Sequence, residues 1–259
     1  MENFEKTFDN ASQDYDTTRP LYVRGIYDEI FRYKPVGEES RVLEIGIGSG
    51  KATLPILEKG CRLQAVEPGD SLADIAEQRF EKYERFSLYR QRLEDFRERP
   101  ESFDLIYSAT AFHWIPEEYG YRRVYELLKK GGAFARFAYH AGPDQGRKAL
   151  SREIQDLYRE YMSHEDAPGE YGEDDAAETA RIAEKYGFSD ITYRLYHTEK
   201  DFSADGYLKL LRTYPDHMRL EEEKRRKLFD GIHRLIQMNG GVITVYYTMD
   251  LQLARKSVP

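Results

Sequence analysis

Glu44, Gly46, Gly48 and Gly50 alternate through Val42-Leu43-Glu44-Ile45-Gly46-Ile47-Gly48-Ser49-Gly50. This reads as a buried strand that ends in a glycine-rich turn, with a helix pattern opening after it. Such a corner presents bare backbone N–H groups at a helix N-terminus, where a partly anionic ligand is favoured. The dinucleotide fingerprint G-x-G-x-x-G fits poorly, because Lys51 stands at its third glycine. The phosphate loop G-x-x-x-x-G-K-[ST] fails at Ile45 and Ala52. The spacing that fits is acid-x-G-x-G-x-G. A second apolar run, Leu63-Gln64-Ala65-Val66, ends on Glu67. Glu67 lies about 20 residues past the start of the turn, where α/β folds place the acid that grips ribose hydroxyls. A carboxylate only accepts hydrogen bonds, so it can take two vicinal hydroxyls at once.

The glycine pattern resembles the first motif of class I S-adenosylmethionine-dependent methyltransferases, and the likeness continues downstream. Arg92-Leu93-Glu94-Asp95-Phe96 resembles the segment that borders the adenine in that family. Leu93 and Arg92 replace a small residue and a polar acceptor there. This leaves the adenine contact open among the Leu93 backbone, Glu94 and Asp95. Phe103-Asp104-Leu105-Ile106-Tyr107-Ser108 followed by Ala109 to Ile115 looks like the family's "FDL…A…HW" element. Leu127-Leu128-Lys129-Lys130-Gly131-Gly132 resembles its "L-K-P-G-G" exit into strand five, with Lys130 in place of proline. Before the first strand, Phe8 to Tyr22 looks like the family's opening segment "Y-D-x-x-R-P-x-Y", which closes over the cofactor. The nearest likeness is to relatives of trans-aconitate methyltransferases. It is strong over 41–139 and weaker over 8–22 and 187–254.

The resemblance implies S-adenosyl-L-methionine as cofactor and assigns it Tyr15, Arg19, Glu44, Gly46, Gly48, Gly50, Glu67, Pro68, Leu93, Glu94 and Ser108. Arg19 is the natural partner for the methionine carboxylate, since a guanidinium fork matches a carboxylate bidentately. His113 follows strand four, at the carboxyl ends where ligands gather in parallel sheets, and its ordinary pKa suits a general base. It is the candidate catalytic residue. His113 and Trp114 could equally pack a cofactor face. His113, Trp114, His140, Arg212 and Tyr214 are assigned to the acceptor. Arg212 and Tyr214 lie in Leu210-Leu211-Arg212-Thr213-Tyr214, which looks like a helical cap element of those relatives. Methyl transfer from a sulfonium needs a base only if the acceptor begins protonated. The resemblance implies methyl transfer to a small-molecule acceptor, with a carboxylate as the first candidate. A protein that binds S-adenosylmethionine or S-adenosylhomocysteine without transfer activity is the alternative. No metal site is read.

Positioning these residues requires a particular framework. Over 41–139 short apolar strands alternate with helix patterns, which means a parallel sheet covered on both faces. The expected fold is α/β: a Rossmann-like, doubly wound, seven-stranded, mostly parallel sheet with an antiparallel last strand and a helical cap. The whole 1–259 chain reads as one domain. A helical segment spans 1–40, the cofactor-binding core 41–139, and cap insertions 141–187 and 201–238. Pro55 predicts a kink or a short first turn. A helix is expected over Arg147–Met162, an acidic glycine-rich loop over Ser163–Asp175, and a helix over Glu178–Tyr186 stopped by Gly187. Strand six is placed over Ile191–His197 and the last strand over Val242–Leu253. Two helix patterns fill Asp201–Met238, the first capped by Ser203. In the second, Glu221–Arg225, Glu222–Arg226 and Glu223–Lys227 are spaced as ion pairs.

Composition sets the outer limits. The net charge of −8 argues against nonspecific binding to nucleic acid or to an anionic membrane. After strand four the chain reads Ser108-Ala109-Thr110-Ala111, not the Asn/Asp-Pro-Pro-aromatic run of nucleic-acid methylation. The amino-terminus lacks the pattern of a signal peptide, and no apolar run approaches a membrane span. The single cysteine, Cys61, forms no internal disulfide and reads as a small buried hydrophobe. These features fit a cytoplasmic protein, monomer or homodimer, with no nucleic-acid or membrane partner.

Overall fold

The computed structural model describes residues 12–162 and 170–258. Phe8 to Ala11 of the opening segment and residues 163–169 of the acidic loop lie outside the described residues. Seven strands form one sheet in the order β3-β2-β1-β4-β5-β7-β6. They are β1 (Arg41–Ile45), β2 (Arg62–Val66), β3 (Phe86–Tyr89), β4 (Phe103–Ala109), β5 (Leu128–Gly142), β6 (Phe188–Ser203) and β7 (Val242–Lys256). The pairs β3–β2, β2–β1, β1–β4 and β4–β5 run parallel, while β5–β7 and β7–β6 are antiparallel. The mostly parallel sheet with an antiparallel last strand is therefore as the sequence pattern implies.

The chain divides into two compact units. One comprises residues 21–139, 172–196 and 249–259; the other comprises 1–20, 140–171 and 197–248. They are called here the sheet unit and the helical unit.

In the sheet unit, β1 and β2 are buried over four of five residues, as expected for strands covered on both faces. Its core runs from Leu43, Ile45 and Val66 through Phe103, Ile106 and Phe134 to Phe188 and Ala254. Helices α2 (Arg24–Tyr33), α3 (Leu54–Leu57), α4 (Asp70–Phe80) and α5 (Glu117–Leu127) belong to it. Pro55 falls in the first turn of α3, whose four residues are the short element its presence predicts. The Leu128-Lys129-Lys130-Gly131-Gly132 stretch is absorbed by a register shift in β5. Phe103 pairs with Leu128, but Leu105 already pairs with Ala133. Gly131 takes φ +71 there, a backbone conformation costly for other residues.

The helical unit contains α1 (Ser12–Thr18), α6 (Lys148–Met162), α8 (Ala204–Leu211), α9 (Pro215–Arg219) and α10 (Glu222–Met238). Ser203 caps α8, its side chain accepting from the Gly206 N–H at 3.1 Å. Lys200 Nζ donates to the carbonyls of Thr17 and Thr18 at 3.3 and 2.8 Å and closes the C-terminus of α1. Of the spaced ion pairs on α10, Glu223–Lys227 closes at 2.7 Å, whereas Arg225 donates to the Met218 carbonyl.

Three expectations need correction. The helix placed over Glu178–Tyr186 begins earlier, as α7 (Glu173–Arg181), and its second half is a 3-10 turn over Ile182–Tyr186. The Asp175 carboxylate accepts the Gly172 N–H at 2.9 Å and starts the helix inside the stretch read as loop. Three helices, not two, occupy 201–238, because Pro215 opens a separate α9. Strand β6 runs well past both ends of Ile191–His197, since its polar, half-exposed residues carry no apolar signal.

Candidate functional site

In the sheet unit, β1, β2 and β4 deliver their carboxyl ends side by side. The turn after β1 is fixed by backbone bonds. The N–H groups of Gly46 and Ile47 both donate to the Val66 carbonyl, at 3.0 and 3.2 Å, and Gly50 N–H donates to Ile47 at 2.9 Å. Gly46, Gly48 and Gly50 have φ of +70°, +57° and +82°. At two of them the space also demands glycine. A Cβ on Gly46 would stand 2.5 Å from the Ala111 Cβ, and one on Gly50 would stand 2.3 Å from the Phe80 ring. Two residues of the motif read from the sequence are thus held against neighbours it did not single out.

Glu67 spans this corner. Its carboxylate accepts the Gly48 N–H at 2.8 Å with one oxygen and the Gly69 N–H at 2.9 Å with the other. A carboxylate oxygen can accept more than one hydrogen bond. The side chain is thereby fixed at the end of β2, between the two turns, with Pro68 half-buried beside it. Arg79 of α4 donates to the Ser49 carbonyl at 2.6 Å and steadies the turn from outside.

Glu44 lies beneath the turn and is fully buried. Its Oε2 accepts from Thr53 Oγ1 at 2.7 Å and from Tyr107 OH at 2.6 Å. Its Oε1 and the Ser49 hydroxyl have no hydrogen-bond partner among the described residues. Burial pushes the Glu44 carboxyl up to about 8, the bonds from Tyr107 and Thr53 pulling it part of the way back and the charge of Glu67 adding to the rise. Burial thus favours the protonated form of the acid of the glycine motif. Thr53 and Tyr107 were not singled out from the sequence. The cross-strand pairing of Glu44 with Tyr107 is the signal that finds the latter.

The other assigned residues of this unit fall into three places. Ser108 is fully buried, and its hydroxyl donates to the Ile45 carbonyl at 2.8 Å, so it braces the turn from below. Leu93 is buried in a tight turn in which Phe96 N–H returns to its carbonyl at 3.2 Å; Glu94 is half-buried and Asp95 exposed. His113 and Trp114 are exposed on a 3-10 turn after β4, their rings 4.8 Å apart, while Phe112 of the same turn anchors in the core.

In the helical unit, Arg19 is buried and its guanidinium lies 4.1 Å from the Tyr214 ring and 5.4 Å from that of Tyr15. Its Nε donates to Thr213 Oγ1 at 2.8 Å and its Nη2 to the Thr213 carbonyl at 2.9 Å. Tyr15, Arg19 and Tyr214 are thus brought together. Arg212, next to Thr213, caps the end of α8 and is exposed. Its side chain makes no hydrogen bond or ion pair among the described residues. His140 stacks on Tyr171 with ring centroids 3.6 Å apart. A group the sequence reading missed is His217, buried, with Nδ1 3.0 Å from Asp216 and Nε2 3.0 Å from the Tyr158 hydroxyl. Nothing in its local spacing announces it.

Residues that fit a nucleoside-bearing, partly charged cofactor are present in the sheet unit. The turn has no room for a Cβ at Gly46 or Gly50, a fixed carboxylate stands one strand away, and buried polar atoms lie behind it. Comparison with known proteins points the same way. Residues 42–132 match the family described as a methyltransferase domain. The chain is 25% identical to an uncharacterized methyltransferase, C25B8.09, of Schizosaccharomyces pombe, over 95% of this chain and 97% of that protein. It is 30% identical to the "Probable S-adenosylmethionine-dependent methyltransferase CRG1" of Saccharomyces cerevisiae, over 67% of this chain but 58% of that one. In fold it is similar to a candidate type II methyltransferase from Anaeromyxobacter dehalogenans, with a TM-score of 0.66 at 20% identity, covering 93% of this chain and 99% of that one.

Proposed function

The chain belongs to the class I S-adenosylmethionine-dependent methyltransferases, and we propose that it methylates a small molecule on a carboxylate oxygen. The observation that carries the site is the Glu67 carboxylate locked between the Gly48 and Gly69 N–H groups at the mouth of a glycine turn. When bound, S-adenosylmethionine supplies a methyl carbon already activated by its positive sulfur. The work left to the protein is to hold the reactants and exclude water.

Glu67 takes the ribose hydroxyls with its remaining lone pairs, and the turn from Gly46 to Gly50 receives the cofactor's backbone-facing end. Pro68 fixes the start of the following turn, and the Leu93 backbone with Glu94 borders the adenine. Glu44 and Ser108 support the turn from beneath. A carboxylate acceptor arrives without a proton to lose, so no general base is required. His113 and Trp114 then supply aromatic surface for the acceptor. In the helical unit, Arg212 is exposed. Arg19 orders the segment that carries it, by gripping Thr213 with two nitrogens.

Calorimetry with S-adenosylmethionine, followed by turnover against carboxylic acids, phenols and amines, tests this reading. Release of S-adenosylhomocysteine is expected with acids. Turnover of phenols or amines alone, with every acid inert, would sink the carboxylate assignment.

A further inference from the structure

Three non-glycine residues among those described have positive φ: Glu101, Thr110 and Asp190. Thr110, at +52°, is the one with a β-branched side chain, for which the left-handed region is a genuine outlier. It stands immediately after β4, at the carboxyl edge of the parallel sheet, and the next residue, Ala111, abuts the glycine turn at Gly46. The conformation is enforced from two sides. Thr110 N–H donates to the Phe137 carbonyl at 2.8 Å, and Thr110 Oγ1 lies 2.7 Å from the Tyr22 hydroxyl. The Tyr22 ring is itself set edge-on against Phe137 at 4.9 Å. Both residues are half-buried. If Tyr22 donates to Thr110, the Thr110 O–H proton has no acceptor among the described residues.

Strain of this kind persists only where the surroundings over-determine it, and it concentrates at ligand sites. A threonine bent into the left-handed region presents its hydroxyl where an unstrained residue would not. We propose that the Tyr22–Thr110 hydroxyl pair is an acceptor-orienting site that donates a hydrogen bond to a carboxylate of the acceptor. The inference rests on the methyltransferase reading and names two positioning residues for it. The cofactor also bears a carboxylate, so the test must separate the two sources.

The protein is saturated with S-adenosylhomocysteine, and benzoate is titrated while backbone amides are followed by nitrogen–proton nuclear magnetic resonance. Saturable shifts of the Thr110 and Ala111 amides are expected. Thr110→Val and Tyr22→Phe should each weaken benzoate binding, by roughly tenfold for the lost hydrogen bond to a charged group. Thr110→Ser, which keeps the hydroxyl, should retain it. S-adenosylmethionine affinity by calorimetry should stay within about twofold in all three. The proposal is overturned if benzoate leaves Thr110 and Ala111 unmoved, if Thr110→Val and Tyr22→Phe bind it as the wild type does, or if the variants lose cofactor affinity instead. Failure of the wild type to bind S-adenosylmethionine would overturn the reading beneath it, which is a separate outcome. Tyr22→Phe carries no backbone risk, and so keeps the test valid should a Thr110 variant fold poorly.

Discussion

Two carboxyl groups in the glycine corner have opposite electrostatic settings. Glu67 is held by two backbone N–H donors and is poised to accept from hydroxyls. Glu67→Ala should weaken S-adenosylmethionine binding by about 1–3 kcal/mol, the scale for hydrogen bonds to a charged group. Unchanged affinity by calorimetry would remove it from the ribose. Glu44, pushed up to about 8 by burial, binds its proton more tightly in the folded chain than in the unfolded one. Its contribution to stability is therefore complete below the ordinary carboxylate range and is lost as pH rises toward about 8. Glu44→Gln mimics the protonated acid and should flatten this decline. Urea unfolding at pH 5.5 and 8.5 should show the wild type losing up to a few kcal/mol more than the variant across that window. Equal losses would mean that Glu44 titrates as an ordinary carboxylate.

At the scale of elements, the strand-to-helix corners are specified by contact as well as conformation. Gly50→Ala would combine a φ of +82° with a Cβ 2.3 Å from the Phe80 ring, which is itself buried and cannot yield. A loss of about 2–4 kcal/mol is expected. Gly60→Ala is the comparison: φ is +75°, but the nearest atom is the flexible Glu38 side chain at 3.2 Å. It should cost about 1–2 kcal/mol, the conformational part alone. Equal losses in thermal unfolding would show that the contact at Phe80 does not matter. In the helical unit, Ser203→Ala removes the cap of α8 and should cost about 1 kcal/mol. The helix boundaries that the sequence missed have local causes. Tyr214 precedes a proline, which biases it away from the helical region, and it takes φ −93° and ψ 122° as the N-cap of α9. That signal was legible. The start of α7 was harder to see, since Gly172 has no side chain with which to cap, and the Asp175 carboxylate answers its N–H instead.

For the whole molecule, cofactor binding and stability are linked. S-adenosylmethionine at about 100 times its Kd should stabilise the fold by about 2.7 kcal/mol if it binds the folded chain alone. Hydrogen exchange should slow most in the turns after β1 and β2. Protection confined to other regions would place the cofactor elsewhere. The charge of −8 predicts no association with duplex DNA even at low salt; anisotropy of a labelled duplex would reveal any. No helix among the described residues is long and apolar enough to cross a membrane.

The sequence by itself determined the sheet and its glycine corner. Buried parallel strands are short apolar runs, and a turn that needs positive φ must be written in glycine, so both are local statements about residue type. It also determined that Glu67 falls in register with that turn. Only the tertiary structure decided what stands against these residues: Tyr107 and Thr53 on Glu44, Phe80 under Gly50, Thr213 on Arg19, Tyr22 on Thr110. Those partners lie 9 to 194 positions away in the chain, and the chain's periodicity does not record such distances. The conformation of Thr110 belongs to the same class. Nothing in its own neighbourhood calls for a left-handed threonine, and it exists because Phe137 and Tyr22 hold it there.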